Sequence, residues 1–189
     1  MGAIRLATID DAEQILEIYS PYCRMDSAVS FEISAPGLEE MKRRIEETLD
    51  HYPWLVYTEG DAILAYAYAG THSKRAAYRW SVDVSVYVSQ SAHRRGLGKA
   101  MYAALFSILR LQGYVNAYAG VTLPNEGSIG LHKSLGFTEV GVYHKVGYKG
   151  DGWHDVAWLE LELQPRAVAP SEPRSLPQIV QSQELATVL

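Results

Sequence analysis

The sequence predicts a single mixed α/β (α+β) domain built on about seven strands and about four helices, followed by a tail. Three observations carry this. Short runs rich in β-branched and aromatic residues alternate with amphipathic stretches at helical spacing. The 189 residues are 48% hydrophobic and 11% aromatic, enough to bury one sizeable core. From Pro165 the composition turns to Pro, Ser, Gln and Glu, which bounds the domain at 1–164 and predicts a flexible or partner-dependent extension over 165–189.

The elements follow in order. "AIRLAT" reads as a short strand, and Asp10 or Asp11 can cap a helix whose apolar residues Ala12, Ile15, Leu16 and Ile18 lie near helical spacing. Pro36 precedes a second helix with Leu38, Met41, Ile45 and Leu49 on one face. "PWLVYTEGDAILAYAYAG" gives two strands joined at Gly60-Asp61, and Ala77 to Ser89 gives a central strand. A helix from about Leu97 to Gln112, the strand "YVNAYAGV", a short helix from near Asn125, and the strands "TEVGVYHKVGY" and "WHDVAWLELEL" complete the domain.

Charge and composition narrow the function. The formal net charge of −5 gives no overall basic field for a nucleic acid. The single cysteine, Cys23, excludes an intramolecular disulfide, and no Cys, His and carboxylate cluster has metal-ligand spacing. The N-terminus has no apolar signal core, and no run approaches the ~20 apolar residues of a membrane span. The expectation is a soluble, cytoplasmic, metal-free protein with no membrane partner.

The segment "HRRGLGKAMY", His93 to Tyr102, interrupts this regular pattern. Glycines 96 and 98 weaken a helix, so they are placed there for bare backbone. A strand that delivers a glycine loop into a helix points free N–H groups one way, with the helix dipole behind them. Such a loop cradles an anion, and Arg94, Arg95 and Lys99 beside Gly96, Leu97 and Gly98 would neutralise a pyrophosphate. A solvated basic loop before an ordinary surface helix is the alternative. The spacing is neither that of a P-loop nor that of a dinucleotide fold, so another phosphate-bearing cofactor is needed.

This loop resembles the Q/R-x-x-G-x-G/A pattern of the GCN5-related N-acetyltransferases, with His93 where that family carries Gln or Arg. The resemblance covers about residues 3 to 163. "YPWLV", "AYAG", "VYVS", "GLGKAMY", "LPNEGSIGLHKSLGF" and "GYKGDGWHDV" are most similar to its phosphinothricin and methionine sulfoximine branch. It implies a central, twisted, mixed and mostly antiparallel sheet, acetyl-CoA as co-substrate with no metal, and a homodimer.

The resemblance also implies a site. Val86, Tyr87 and Val88 would bond the pantetheine arm through their backbone, and Asn125 and Ser128 belong to a second cofactor segment. Asp83 stands where the related enzymes carry a glutamate. An amine must lose its proton before attacking a thioester, so Asp83 is the candidate base, acting through a water because it is shorter; bonding to Ser81 or Ser85 is the structural alternative. His132 replaces a tyrosine that protonates the leaving thiolate in many members, and imidazolium is the stronger acid of the two. Arg75 matches an arginine that holds the acidic substrate, where a guanidinium fork suits a carboxylate or phosphinate. Phe31 and Glu32 lie in a region that walls the acceptor pocket. "GWHDV" offers no His–Asp relay, because adjacent strand residues face opposite ways.

The expected activity is ternary-complex transfer of acetyl to the α-amine of a small acidic amino-acid analogue, of the phosphinothricin or methionine sulfoximine type. A different amine or a peptide N-terminus on the same fold is the first alternative. A non-catalytic acetyl-CoA-binding sensor is the second.

Overall fold

The computed structural model describes residues 2–182 together with Leu185. The chain opens with β1 (Ala3–Leu6), α1 (Ala12–Cys23) and α2 (Leu38–Leu49), then builds a meander of β2 (Trp54–Glu59), β3 (Ala62–Thr71) and β4 (Ser81–Val88). α3 (Leu97–Gln112), β5 (Asn116–Thr122), α4 (Glu126–Ser134), β6 (Thr138–Lys149) and β7 (Gly152–Glu162) follow in the predicted order. The strands join one sheet, β1-β2-β3-β4-β5-β7-β6. Every pairing in it is antiparallel except β4 with β5.

Two local details differ from the sequence reading. The strand expected from Ala77 begins at Ser81, because Ala76–Tyr78 form a 3-10 turn in which the Tyr78 N–H donates to the Arg75 carbonyl at 2.9 Å. Asp11 ties β1 to the start of α1: its carboxylate accepts the Thr8 N–H at 2.8 Å and the Arg5 guanidinium through two bonds of 2.7 Å.

Alternation along the strands divides the core in two. On β3, Ala65, Ala67 and Ala69 face α3, and these small side chains leave room for the bulky Met101, Tyr102 and Leu105. Tyr66 points the other way, joining Trp54 and Val56 of β2 under Ile15, Ile18, Met41 and Ile45 of α1 and α2. Trp54 and Tyr68 stack at 4.4 Å on that side.

The tail is not the loose extension expected from its composition. Its segment 176–181 forms α5 (Leu176–Gln181), whose Leu176 and Ile179, at i and i+3, are buried in the α3 core. Backbone bonds hold it there: Arg174 N–H donates to the Gln112 carbonyl at 2.7 Å, and Leu176 N–H to the His51 carbonyl at 3.1 Å. The Gln112 amide adds bonds to the His51 and Arg174 carbonyls. Two apolar side chains at helical spacing outweigh a polar, proline-rich average.

Candidate active site

The parallel pairing of β4 with β5 is short, and the site grows from that. β4 pairs with β3 from Val82 to Val88, yet with β5 only at Ser81, Val82 and Asp83. Beyond Asp83 the strands part, leaving the edge of β4 at 84–88 open. An open edge offers N–H and C=O groups that an extended, amide-bearing chain can bond as if it were a strand. The carbonyl of Val88 is already used, accepting from Tyr22 Oη at 2.9 Å and lying 3.1 Å from His93 Nε2. His93 therefore braces the strand end.

From this edge the chain enters α3 at Gly96, whose φ of +79° is left-handed and suits glycine. No side chain caps the first turn of α3, so the N–H groups of Leu97, Gly98 and Lys99 are available to an anion. Gly98 has a second reason to be bare, since a Cβ there would come within 3.1 Å of Leu131 on α4. A groove of about 710 Å³ runs from the β4 edge past this turn to α4, lined by Val86, Tyr87, Val88, Gly96, Leu97 and Gly98. Arg94 and Lys99 line it too, whereas Arg95 turns away to pair with Glu59 on β2. The cradle thus has two cations, not the expected three. Asn125 and Ser128 complete the groove, with Asn125 Oδ1 capping α4 by accepting the Ser128 N–H at 3.0 Å.

Asp83 stands where β4 and β5 part. Its carboxylate does not bond Ser81 or Ser85; Oδ1 lies 2.6 Å from His72 Nδ1. Burial pushes the Asp83 carboxyl above its ordinary value, and the bond to His72 opposes that. The His72 ring lies on Tyr118 at 4.3 Å and 20°. His72 escaped the sequence reading because nothing in "THSKRAAYRW" gives the register that pairs Gly70 with Asp83 and Thr71 with Val82 and so brings His72 beside the acid. The signal available was a histidine preceding the loop that leads to a mid-strand acid.

His132 turns into the core. It is 3% exposed and does not line the groove. Its Nδ1 bonds the Ser128 carbonyl at 2.7 Å and its Nε2 lies 3.1 Å from Tyr102 Oη. Burial pushes the imidazole below its ordinary value. Both ring nitrogens are engaged, and the helix that presents Ser128 to the groove turns His132 inward.

The remaining candidates occupy the surroundings. Arg75 caps the 3-10 turn after His72, exposed and without a side-chain partner among the described residues, whereas Arg79 pairs with Glu172 of the tail. Arg75 lines a cleft of about 490 Å³ with Tyr52, Thr71 and Lys74, separate from the groove. Glu32 accepts from Arg44 at 2.6 Å and from Tyr19 at 3.2 Å. Phe31 lies against Gly147 of β6, where a Cβ would collide with its ring. The loop carrying both is tied down by Lys149, 2% exposed, whose ammonium donates to the Ser30 carbonyl at 2.6 Å and the Tyr22 carbonyl at 3.3 Å. His154 and Asp155 turn to different partners, the Lys149 carbonyl and the Lys145 N–H. Among the described residues no group of three or more His, Cys, Asp or Glu could hold a metal, and no helix is long and apolar enough to cross a membrane.

Comparison with known proteins agrees with this geometry. An acetyltransferase (GNAT) domain model matches residues 4–158. A phosphinothricin N-acetyltransferase of Streptomyces viridochromogenes is 37% identical over 171 residues, 88% of this chain and 93% of the relative. A methionine sulfoximine/methionine sulfone acetyltransferase of Pseudomonas aeruginosa is 31% identical over 170 residues, 89% of this chain and 99% of the relative. A solved GNAT phosphinothricin acetyltransferase of Sinorhizobium meliloti, in complex with acetyl-CoA, superposes with a TM-score of 0.85 at 31% identity, covering 90% of this chain and 94% of its own. With its parted strands, its uncapped glycine turn and these relatives, the chain belongs to the GNAT acetyltransferase family.

Proposed function

We propose that the protein transfers acetyl from acetyl-CoA to the α-amine of a small acidic amino-acid analogue, of the phosphinothricin or methionine sulfoximine type. One observation carries this: the open β4 edge joins an uncapped, glycine-flanked helix N-terminus at one end and the His72–Asp83 pair at the other. The groove suits acetyl-CoA. The N–H groups at 97–99 with Arg94 and Lys99 would hold its pyrophosphate, and the β4 edge its pantetheine amides. The cofactor supplies an activated acetyl thioester; the protein's part is to align the amine, remove its proton and exclude water.

Direct transfer in a ternary complex fits the chain better than an acetyl-enzyme. Cys23, the single thiol, is buried, bonds the Tyr19 carbonyl at 3.7 Å, and burial pushes its pKa up. A buried, unpaired cysteine also suits a reducing cytoplasm. The free guanidinium of Arg75, on the loop that carries His72, favours an anionic acceptor over a polyamine. A homodimer accords with the edge strand β6, which leaves Val140, Tyr143, Val146 and Tyr148 exposed beside Trp153. Capping the α-amine removes its ammonium charge, the chemical basis on which such a reaction would confer resistance.

The test is incubation with acetyl-CoA and L-phosphinothricin or L-methionine sulfoximine. We expect thiol release and an N-acetylated product by mass spectrometry. No thiol release with any primary amine, despite bound acetyl-CoA, would make the protein a sensor and reject this reading.

A further inference from the structure

We propose that His72 takes the proton from the acceptor amine and that Asp83 is its positioning residue. This rests on the acetyl-transfer reading above and adds a catalytic residue to it. The bond from His72 Nδ1 to Asp83 Oδ1, 2.6 Å long, holds the ring proton on Nδ1 and leaves the lone pair on Nε2. Among the described residues Nε2 has no hydrogen-bond partner. The aspartate, by contrast, has spent one oxygen on the ring.

Three aromatic side chains fix the ring's direction. It lies on Tyr118 at 4.3 Å, with Trp158 edge-on at 6.2 Å and Tyr78 at 5.9 Å. Tyr118 is the β5 partner of Asp83 in the parallel register, so the imidazole lies over the last paired rung before the strands part. That is the end of the open β4 edge toward which an extended chain bonded to it would run. Among the described residues the indole N–H of Trp158 is buried without an acceptor.

Imidazole also answers a problem of reach. An aspartate is one methylene shorter than a glutamate, and a ring bonded to it carries the basic atom farther out than that methylene would. As a class imidazoles are bases near neutrality, the range best matched to taking a proton from an ammonium. In the step, an ammonium proton passes to Nε2, the freed lone pair forms the N–C bond at the thioester carbonyl, and the C–S bond breaks. The extra proton on nitrogen goes to the departing thiolate, and the imidazolium returns its own to solvent.

The decisive experiment is kcat/KM against pH for wild type, His72→Gln and Asp83→Asn, using the acceptor that wild type turns over fastest in the thiol-release screen. The charged group against the ring is Asp83; the phenols of Tyr78 and Tyr118 also face it, with Glu160 interacting with Tyr118. In wild type the rate falls toward acid pH as the base is protonated. We expect His72→Gln to lower kcat by roughly 10² to 10⁴ and abolish that limb, with acetyl-CoA affinity by calorimetry unchanged. Asp83→Asn should keep the limb, because the base itself remains.

A folded His72→Gln enzyme within about threefold of the wild-type rate, with the limb intact, overturns the proposal. If that variant does not fold, the Asp83→Asn profile decides: a limb that vanishes assigns the base to Asp83. A wild type that releases no thiol from any amine rejects the reaction and this proposal together. An active wild type beside an unaffected His72→Gln rejects the proposal alone.

Discussion

Tyr102 Oη and His132 Nε2 stand 3.1 Å apart between α3 and α4, and the Ser128 carbonyl holds the other imidazole nitrogen at 2.7 Å. His132→Phe would leave the Tyr102 hydroxyl with only a 3.5 Å contact to the Val84 carbonyl, at a cost of about 1–3 kcal/mol. Because burial lowers the folded-state pKa of His132, its contribution is present above the unfolded value of about 6.5 and lost as the pH falls below it. Urea unfolding at pH 7.5 and 5.5 should show a larger acid loss for wild type than for His132→Phe. The variant's kcat should fall less than that of His72→Gln; the reverse order would return His132 to the chemistry.

Gly98→Asp places a carboxylate on the first turn of α3 and crowds Leu131. Acetyl-CoA binding should weaken at least tenfold, about 1.4 kcal/mol. Calorimetry on a variant with a native circular-dichroism spectrum measures this, and unchanged affinity would remove the cofactor from the groove.

Arg75→Ala should raise KM for an anionic acceptor severalfold or more and leave KM for acetyl-CoA unaltered, since Arg75 lines a cleft separate from the groove. If both KM values match wild type, Arg75 is only a surface residue on the loop of His72.

Lys149→Ala removes the donor shared by the Ser30 and Tyr22 carbonyls. A buried acceptor at Ser30 and a half-buried one at Tyr22 lose a charged partner, so thermal unfolding should report a loss of about 1–3 kcal/mol. The freed loop carries Phe31 and Glu32, so acceptor KM should rise more than acetyl-CoA KM. An acceptor KM that does not change would separate this clamp from the pocket.

Much of this molecule was legible in its residues because the signals are local. Alternation along "AILAYAYAG" marks a strand with alanines on one face and tyrosines on the other, and the glycines at 96 and 98 mark a helix start with bare backbone. What was not legible depends on residues distant in sequence. His72 and Asp83 meet through the β3–β4 register, in which Gly70 pairs with Asp83 and Thr71 with Val82, so that His72 leaves β3 on the face of Asp83. Glu59 diverts Arg95 from 36 positions away, and no pattern near "HRRG" shows it. His132 held the right place in the motif, but whether a helical side chain faces groove or core depends on Tyr102, thirty residues earlier. The tail misled through its average composition, since a few apolar residues, Leu176, Ile179 and Leu185, are enough to dock it.

Acceptor choice is the central claim, and it comes down to one comparison: kcat/KM at saturating acetyl-CoA for L-phosphinothricin, spermidine and an alanyl peptide, measured side by side by thiol release. We expect the phosphinate amino acid to be preferred by at least about a hundredfold, the range that a charged anchor such as Arg75 and a small pocket can supply. Equal values, or a preference for spermidine or the peptide, would contradict an acidic amino-acid analogue as the substrate class.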